Sequence, residues 1–351
     1  MSKIRVNLKA NSYDIIIGQD ILKKISSVLK PLGLGRDAVI ITNPVIKRLH
    51  GNALAKGLAR GGYSVKFFTV PEGEPSKSAR CAFGLMEKLA AYDVRRNIFV
   101  IAFGGGVVGD LAGYVAAAYK RGVPYIQVPT TLLAQVDSAI GGKVGIDLPM
   151  GKNLVGAFYQ PKCVYSDVAV LGTLSKRQIR NGLAEVVKYG VIRSRPLFDY
   201  IDRHYQDLLA LEPRALTKVV SECSQIKASV VMRDERETKG IRTILNFGHT
   251  IGHAIEAAGG YDQFYHGEAV ALGMRVAADL SAKLGYLREP NVILLNQLLS
   301  KIGLPKAIGR IPLERILNIM QHDKKFIGGQ IRFVLATKLG GVKVVEGHSF
   351  K

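Results

Sequence analysis

Two histidines and a glutamate share one side of a predicted helix in the segment NFGHTIGHAIEAAGG, residues 246–260. At 100° per residue, His249, His253 and Glu256 fall on the same stripe. The opposite stripe is apolar and consists of Ile251, Ala254, Ile255 and Ala258. Histidines that only filled a core would have apolar neighbours on their own stripe. The pattern therefore favours chemistry over packing as the reason for these histidines.

Two further segments supply groups that match this stripe. Glu185 and Lys188, in NGLAEVVKYG, are three residues apart and share a face of a second predicted helix. His266, in YHGEAV, stands at a loop or helix start. One carboxylate and two imidazoles form the ligand set of a catalytic zinc site with an open position. The spacing predicts Glu185 with two of the three histidines as ligands, and it leaves open which two, since an i, i+4 histidine pair also binds metal.

Cationic and polar side chains form a second group of candidates. The stretch of residues 134–158, AQVDSAIGGKVGIDLPMGKNLVGAF, is interpreted as irregular because of its glycines. The candidates are Asp137, Lys143, Lys152 and Asn153 in this stretch, together with Arg121, Lys227, Arg242 and Lys324. Such cations suit a ligand with more than one negative charge. The alternative is that each is an ordinary surface cation.

A glycine-rich loop offers a site for a dinucleotide. In FVIAFGGGVVGDLAG a predicted strand leads into Gly104, Gly105 and Gly106, and Gly109 and Asp110 open a helix. Glycines let backbone N–H groups approach a pyrophosphate, and a helix N-terminus favours the anion. The loop follows roughly the fourth predicted strand, so it is not the ordinary fingerprint after the first strand of a Rossmann fold. The alternative is a tight strand-to-helix turn.

Two other segments follow predicted strands and could read the adenosine part of a dinucleotide. These are TNPV, residues 42–45, which contains Asn43, and PEGEPSKS, residues 71–78. Both could equally be surface turns.

The elements that must position these residues divide the chain into two halves. β-branched runs at 13–18, 37–43, 64–70, 97–106 and 123–131 predict strands, and amphipathic stretches such as 77–94 predict helices between them. This alternation indicates an α/β domain with a mostly parallel, Rossmann-like sheet. Long helical periodicity follows at 175–192, 214–238, 248–258, 267–285 and 291–303, and the tail predicts a strand pair around a Gly-Gly turn. We therefore expect an NAD-binding domain over 1–170, a mainly α-helical metal- and substrate-binding domain over 171–351, and an active site in the cleft between them.

Composition limits the classes of function. The 351 residues exceed the size at which one core stops growing, which supports two domains. The net charge of +21 is spread along the chain, and the sequence contains no recognition helix, zinc finger or RNP motif, so nucleic-acid binding is not expected. Three distant cysteines without CxxC spacing and the absence of a long apolar run predict a cytoplasmic protein that does not engage a membrane.

The motifs together resemble the sugar-phosphate cyclase family, and within it the 3-dehydroquinate synthases. The resemblance is carried, in the family's order, by PEGEPSKS, GGGVVGDLAG, RGVPYIQVPTTLLAQVDSAIGGKVGID, GKNLVGAFYQP, GLAEVVKYG, DERET, LNFGHTIGHAIE, HGEAVALGM and DKK. These segments run from residue 71 to residue 325. The resemblance therefore covers most of the chain.

The resemblance implies a role for each candidate residue. It implies that Glu185, His249 and His266 bind a divalent metal, zinc in the first place and cobalt as an alternative, and that His253 faces the phosphate of the substrate. It assigns the substrate phosphate also to Arg121, Lys152, Asn153 and Lys324, and the carboxylate to Lys227 and Arg242. Asp137, Lys143, Lys188 and Asn246 would contact hydroxyls or the nearby phosphate. An extra residue near Lys239 weakens the alignment between Lys227 and Arg242, and either Lys324 or Lys325 could face the substrate.

The resemblance also implies NAD as the cofactor. Its binding residues would be Asn43, Glu72, Gly73, Glu74, Lys77, Gly105, Gly106, Val107, Val108, Gly109, Asp110, Thr130, Thr131, Lys143 and Lys152. The implied reaction is conversion of 3-deoxy-D-arabino-heptulosonate 7-phosphate to 3-dehydroquinate and phosphate, in aromatic amino-acid biosynthesis. A homodimer is the implied assembly, with Arg121 reaching the second subunit. The alternatives are another sugar-phosphate cyclase and a metal-dependent NAD polyol dehydrogenase of the same fold.

Overall fold

A computed structural model describes residues 1–322 and 331–347 of the chain. Its strands are β1 (Ser2–Val6), β2 (Tyr13–Gly18), β3 (Asp37–Thr42), β4 (Ser64–Thr69), β5 (Ile98–Gly104), β6 (Tyr125–Pro129), β7 (Lys143–Leu148), β8 (Gly151–Phe158), β9 (Cys163–Asp167), β10 (Ile331–Lys338) and β11 (Gly341–Gly347). All five strands expected in the first half and the strand pair of the tail are present. Strands β1, β7, β8 and β9 were not expected from the sequence.

The helices are α1 (Ile25–Leu29), α2 (Pro44–Ile46), α3 (Asn52–Ala59), α4 (Ala79–Tyr92), α5 (Gly106–Ala118), α6 (Lys176–Arg193), α7 (Arg195–Leu209), α8 (Pro213–Arg233), α9 (His249–Ala258), α10 (His266–Lys283), α11 (Glu289–Ile302) and α12 (Leu313–His322). The five helical segments expected after residue 170 correspond to α6, α8, α9, α10 and α11. Helices α7 and α12 add to them. No helix of the described residues is both long and apolar enough to cross a bilayer.

Seven strands form one sheet in the order β1-β2-β9-β6-β5-β3-β4, in which β1 alone is antiparallel to its neighbour among the described pairs. Apolar clusters lie on both faces: α4 and α5 cover one face, and α1 and α3 cover the other. This double cover explains the continuous apolar runs of the central strands, such as the seven buried residues of β5. The predicted fold class, a parallel-sheet part followed by a mainly helical part, is confirmed.

The strand order reverses between β3 and β5, because β4 lies beyond β3 on one side and β6 lies beyond β5 on the other. Ligands of such sheets bind at the carboxyl ends of the strands beside this reversal. Asn43 follows β3, and Gly105 follows β5. The topology thus places two of the predicted cofactor segments at the point where a dinucleotide is expected.

The chain forms two compact units. The first consists of Met1–Leu174 and Leu216–Arg236, and the second consists of Ser175–Ala215 and Glu237–Lys351. Most of α8, which follows the expected boundary near residue 170, therefore belongs to the first unit. The expected cleft between the halves stays a prediction.

The stretch 134–158 is not irregular, and that interpretation was wrong. Residues Ala134–Ser138 form one turn of π-helix, and β7 and β8 then pair as an antiparallel hairpin. A Cβ on Gly145 would lie 2.6 Å from the Val155 carbonyl oxygen, and one on Gly156 would lie 2.3 Å from the Val144 carbonyl oxygen. The glycines that suggested a loop are thus required by the close approach of two strands. The glycine loop also follows the fifth strand, β5, not the fourth.

Candidate functional site

Glu185 lies in the interior of the second unit. It is on α6, its side chain is fully buried, and its carboxylate forms an ion pair with Lys188 one turn later. Burying an isolated carboxylate costs roughly several kcal/mol of folding free energy, which charged or hydrogen-bonded partners must offset. The burial of this pair therefore needs further groups around the carboxylate.

Two imidazoles from two other helices approach the same carboxylate oxygen. The Nε2 atom of His249, the first residue of α9, lies 3.5 Å from Glu185 Oε1. The Nε2 atom of His266, the first residue of α10, lies 3.6 Å from the same oxygen. One carboxylate oxygen and two imidazole nitrogens thus converge on one point, and this donor set is that of a catalytic zinc site.

The outer nitrogen of each imidazole has an acceptor. Nδ1 of His249 donates to the Phe247 carbonyl oxygen over 3.2 Å, and Nδ1 of His266 lies 3.1 Å from Glu256 Oε2. A carbonyl oxygen can only accept, so His249 carries its proton on Nδ1. Burial lowers the pKa of His249 to about 3, which keeps the ring neutral with a lone pair on Nε2. Such outer partners orient metal-binding histidines.

His266 titrates in the opposite direction. Burial alone would lower its pKa, but hydrogen bonds with Glu185 and Glu256 raise it to about 10. The ring therefore holds a proton between two carboxylates. A metal ion bound at Nε2 must displace this proton, so ion binding at this site releases acid.

Small residues allow the three helices to come together. Gly248 has φ +79° at the start of α9, and a Cβ on Gly273 of α10 would lie 1.9 Å from the Gly248 carbonyl oxygen. Between α6 and α10, the Gly267 N–H donates to Asn181 Oδ1 over 2.6 Å. A Cβ on Gly267 would lie 2.0 Å from the Asn181 carbonyl oxygen. These contacts fix His249 and His266 at their distances from Glu185, which lies one turn after Asn181.

Gly267→Ala tests this packing. The new methyl group cannot fit beside Asn181, so the first turn of α10 must move, and overpacking of this kind costs about 1–3 kcal/mol. We expect a lower melting temperature and weaker zinc binding, because His266 moves with the turn. Both are measured on the full chain, by thermal unfolding and by competition with a chromogenic chelator.

The control for this prediction is Gly84→Ala in α4. An added Cβ there meets no atom within 4 Å, so neither quantity should fall. Unchanged zinc affinity in Gly267→Ala would contradict the positional role of the α6–α10 contact.

His253 lies beside both of these imidazoles. Its ring centroid is 5.3 Å from that of His249 and 5.8 Å from that of His266, and the side chain is partly exposed. The three histidines have ligand atoms within 4.8 Å of one another. The structure thus brings the three histidines and Glu185 into one cluster, as the sequence predicts.

A second cluster lies in the first unit, around the glycine loop. A Cβ on Gly105 would lie 3.0 Å from Thr131 Cγ2, and the Thr130 N–H donates to the Gly104 carbonyl oxygen over 2.9 Å. Backbone groups at the N-terminus of α5 are consequently bordered by Thr130 and Thr131. Asn43 accepts from the Ile46 N–H over 2.8 Å and so caps α2 at the neighbouring strand end.

Lys77 connects this loop to the β7–β8 hairpin. Its ammonium is 2.7 Å from Asp110 in the first turns of α5, and it also donates to Asn153 Oδ1. Burial alone would lower the pKa of Lys77, but Asp110 raises it above its ordinary value. Lys152 pairs with Glu74 at 3.3 Å. Residues predicted for the cofactor and for the phosphate therefore lie side by side.

Comparison with known proteins identifies the family. The model of the 3-dehydroquinate synthase N-terminal part matches residues 67–181, and that of the C-terminal part matches residues 182–326. A 3-dehydroquinate synthase from Desulforamulus reducens is 46% identical over 347 residues, which are 99% of this chain and 96% of that protein. The chain belongs to the 3-dehydroquinate synthase family. The resemblance seen in the sequence is confirmed.

Solved structures of related cyclases share the fold of this family member. A 2-deoxy-scyllo-inosose synthase complexed with carbaglucose-6-phosphate, NAD⁺ and Co²⁺ has a TM-score of 0.89 at 27% identity, covering 99% of this chain and 97% of its own. The 2-epi-5-epi-valiolone synthase of Streptomyces hygroscopicus subsp. jinggangensis, with NAD⁺ and Zn²⁺ bound, has a TM-score of 0.89 at 26% identity, covering 98% and 95%. The expected cofactors thus match those of two related enzymes.

The remaining residues expected from the synthase family are distributed over the two units. Asp137 and Lys227 form an ion pair within the first unit, and Lys227 also donates to the Asp137 carbonyl oxygen over 2.8 Å. Arg121 and Lys143 are exposed there. In the second unit, Arg242 and Asn246 lie on a 3₁₀ segment, Ile241–Asn246, and Arg242 is 3% exposed. Lys324 and Lys325 lie outside the described residues.

The other predicted cofactor residues of the synthase family occupy the first unit. Glu72 and Gly73 are exposed in the turn before Lys77, and Val107 and Val108 lie in the first turn of α5. Val108 is buried in the apolar cluster that joins α5 to the sheet.

Three residues near these clusters were not singled out from the sequence. Asn181 holds α10, Ser138 Oγ lies 3.0 Å from where a Cβ of Gly106 would stand, and Gln127 donates to the Gly109 carbonyl oxygen over 3.2 Å. Their contacts join segments that are distant in sequence, so no local pattern of residue spacing predicts these contacts. Glu256 was placed on the histidine stripe, but its contact with His266 was not predicted.

Proposed function

We propose that this chain is a 3-dehydroquinate synthase, which converts 3-deoxy-D-arabino-heptulosonate 7-phosphate to 3-dehydroquinate and phosphate with NAD and a divalent ion. The observation that carries the proposal is the convergence of the His249 and His266 Nε2 atoms on Glu185 Oε1. The identity of the substrate is assigned from the family to which the chain belongs. The same proposal assigns NAD binding to residues 1–170 and binding of metal and substrate to residues 171–351, with Lys227 on a helix that packs in the first unit.

Glu185, His249 and His266 would hold the ion, zinc in the first place and cobalt as a substitute. The ion supplies Lewis-acid chemistry, acidifying a bound hydroxyl and polarising a carbonyl. Lys188 forms an ion pair with the Glu185 carboxylate and so offsets the cost of burying its negative charge. His249 offers a neutral lone pair without any loss of a proton.

The glycine loop and its neighbours would hold NAD, which takes a hydride from the substrate and returns it later in the turnover. Gly105 and Gly106 expose backbone N–H groups at the N-terminus of α5, where an anion is favoured. Asp110 pairs with Lys77, whose backbone N–H donates to the Glu74 carbonyl oxygen over 2.8 Å. Asn43 directly follows β3.

The cations of the chain would fix the two ends of the substrate. Lys152, Asn153, Arg121, Lys324 and His253 are assigned to the phosphate, and Lys227 and Arg242 are assigned to the carboxylate. Asp137, Lys143, Lys188 and Asn246 would contact the hydroxyls or the nearby phosphate. Fixing both ends restricts the substrate to conformations that can eliminate phosphate and later close the ring, so positioning carries much of the rate.

One assay separates this proposal from a polyol dehydrogenase. A synthase releases inorganic phosphate while the amount of NADH stays constant, because the hydride returns within each turnover. A dehydrogenase accumulates NADH and releases no phosphate. Purified protein with NAD, zinc and the heptulosonate phosphate should give phosphate without NADH, and steady accumulation of NADH without phosphate would refute the proposal.

A homodimer is part of the proposal, and the surface of β8 supports it. Among the described strands β8 pairs with β7 alone, and its Leu154 and Phe158 are 59% and 43% exposed. An exposed apolar edge strand invites pairing with another chain. Two copies of β8 related by a two-fold axis would cover each other. A cytoplasmic location is also part of the proposal, and it is supported by Cys81, Cys163 and Cys223, none of which forms a disulfide in the described part of the chain.

Arg121 immediately precedes a residue that lies beside the segment following β8. A Cβ on Gly122 would lie 3.2 Å from the Tyr159 hydroxyl, directly after β8. Lys120 and Arg121 both have positive φ, 49° and 62°, and such backbone strain collects at functional sites. We therefore propose that Arg121 serves the phosphate site of the second subunit.

Mixed dimers test the action of Arg121 in trans. His249→Ala and Arg121→Ala chains should each be inactive as homodimers. After random reassociation, half of the dimers are mixed and each has one complete site, so about a quarter of wild-type activity should return. Phosphate release by the mixture measures this. An inactive mixture whose mixed dimers are verified by two affinity tags would place Arg121 in its own site.

A further inference from the structure

Glu256 is a buried carboxylate that the proposed reaction does not use. It lies on α9 two turns after His249, and it is 8% exposed. A carboxylate at such a depth requires a hydrogen-bonded or charged partner. Its Oε2 atom lies 3.1 Å from Nδ1 of His266, on the neighbouring helix α10.

This contact connects the two helices that supply the histidines. Helix α9 contributes His249 to the cluster from its first residue. Seven residues later the same face of α9 presents Glu256 to the back of His266. Helix α9 thus carries the candidate ligand His249 and, through Glu256, also contacts the candidate ligand His266.

The rings of His249 and His266 differ in how strongly the surrounding residues fix their orientation. The side chain of His249 is 9% exposed, whereas that of His266 is 30% exposed. His249 is also confined by packing of α9 on α10, and its outer nitrogen bonds to a neutral carbonyl of its own segment. His266 begins its helix, and its outer nitrogen faces a carboxylate ten residues back in the sequence. Its ring depends more on a partner for its direction.

A carboxylate behind an imidazole has three physical effects. It fixes the ring so that Nε2 points away from the carboxylate, here toward Glu185. It also makes Nε2 more basic and so a better metal ligand. It also adds a negative charge to a cluster that contains Lys188 and would contain a dication. Glu185 alone cannot balance these positive charges.

We propose that Glu256 is a positioning residue, which holds the His266 ring with Nε2 toward Glu185 and thereby sets the affinity of the cluster for a divalent ion. The inference rests on the proposed metal binding by Glu185, His249 and His266. It assigns to Glu256 no contact with substrate or with the ion.

The test is the zinc dissociation constant of the full-length protein, measured by competition with a chromogenic chelator. Loss of an outer partner of this kind weakens metal binding about 10–100-fold. Glu256→Ala should show this loss. Glu256→Gln, which keeps an acceptor of nearly the same shape but no charge, should fall between Glu256→Ala and wild type. The visible spectrum of the Co²⁺-substituted protein should change in the same order, because it reports the ligand field.

Glu268→Gln is the matched control. Glu268 lies two residues after His266 and holds the start of α10, accepting from the Tyr265 N–H over 2.9 Å and pairing with Arg177 at 2.7 Å. It is not the partner of the imidazole. This variant should melt at a lower temperature and bind zinc within about twofold of wild type, a difference far below the loss expected at an outer partner.

Three outcomes would overturn the inference. Zinc affinity of Glu256→Ala equal to that of wild type would do so, and so would an equal loss in Glu268→Gln, because the effect would then come from the helix start. Wild-type protein that binds no zinc would remove the proposed metal site together with this inference. Tight binding by wild type with no dependence on Glu256 would remove the inference alone.

Discussion

His249→Ala is expected to abolish tight zinc binding and to lower kcat/KM by about 10³-fold or more, since a catalytic ion contributes several kcal/mol to the stabilisation of charge in the transition state. The reason lies in the geometry of Nε2. It is 3.5 Å from Glu185 Oε1, and the proton on Nδ1 is committed to the Phe247 carbonyl oxygen. Alanine removes this donor, and His253, the other imidazole of α9, is assigned to the substrate phosphate in the proposed function. Zinc content after dialysis and phosphate release are the two measurements.

His253→Ala is the control for this prediction. It removes an imidazole of the same helix whose centroid is 5.3 Å from that of His249. If His253 faces the substrate phosphate, this variant keeps its zinc, and its KM for the sugar phosphate rises. Equal loss of zinc from both variants would mean that the ligand set includes His253 and that the assignment from family resemblance is wrong.

The histidine stripe could be predicted because it depends on one helix. The angular positions of His249, His253 and Glu256 follow from 3.6 residues per turn, and α9 covers them. Which histidines lie closest to Glu185 depends on how α6 and α10 pack against α9, and the spacing within one helix does not show this. The spacing of these helices depends on Gly267 and Gly273, whose missing side chains allow backbone contact. Sequence periodicity carries no signal for such a crossing.

The hairpin β7–β8 shows the opposite failure. Its glycines lower strand propensity, and the local rules therefore indicate a loop. In the structure Gly145 and Gly156 face each other across the strand pair, where a Cβ on either would collide with a carbonyl oxygen. Local preference was overruled by a contact between segments. Helix α8 differs, because its amphipathic pattern predicts the helix correctly but does not show that most of it packs in the first unit.

Strands β1 and β9 were not predicted from the sequence, for a related reason. Strand β9 is buried and central, between β2 and β6, yet it is five residues long and follows the hairpin directly. Strand β1 is short and antiparallel at the sheet edge. Short strands have little periodic signal, and their place depends on strands that are distant in sequence.

Arg242→Ala is expected to lower kcat/KM for the heptulosonate phosphate by about 10²-fold or more, because truncating one side of a buried charge pair costs about 2–5 kcal/mol. Arg242 is 3% exposed and lies on the 3₁₀ segment that precedes α9. A planar fork of donors suits the two oxygens of a carboxylate. Zinc content should stay at the wild-type level, since Arg242 is not in the proposed ligand set.

The matched control is Arg275→Ala, which removes another arginine of the second unit. Arg275 donates to Asn296, Ser300 and the Pro305 carbonyl oxygen, so its loss should lower the melting temperature and leave kcat/KM per folded chain near wild type. The comparison separates loss of a ligand contact from loss of a structural arginine. Activity of Arg242→Ala equal to wild type would mean that no substrate carboxylate reaches Arg242. A cyclase acting on a sugar phosphate without a carboxylate would then be the better assignment, and turnover of such a sugar phosphate by the wild-type chain would decide between the two, because only that cyclase would release phosphate from it.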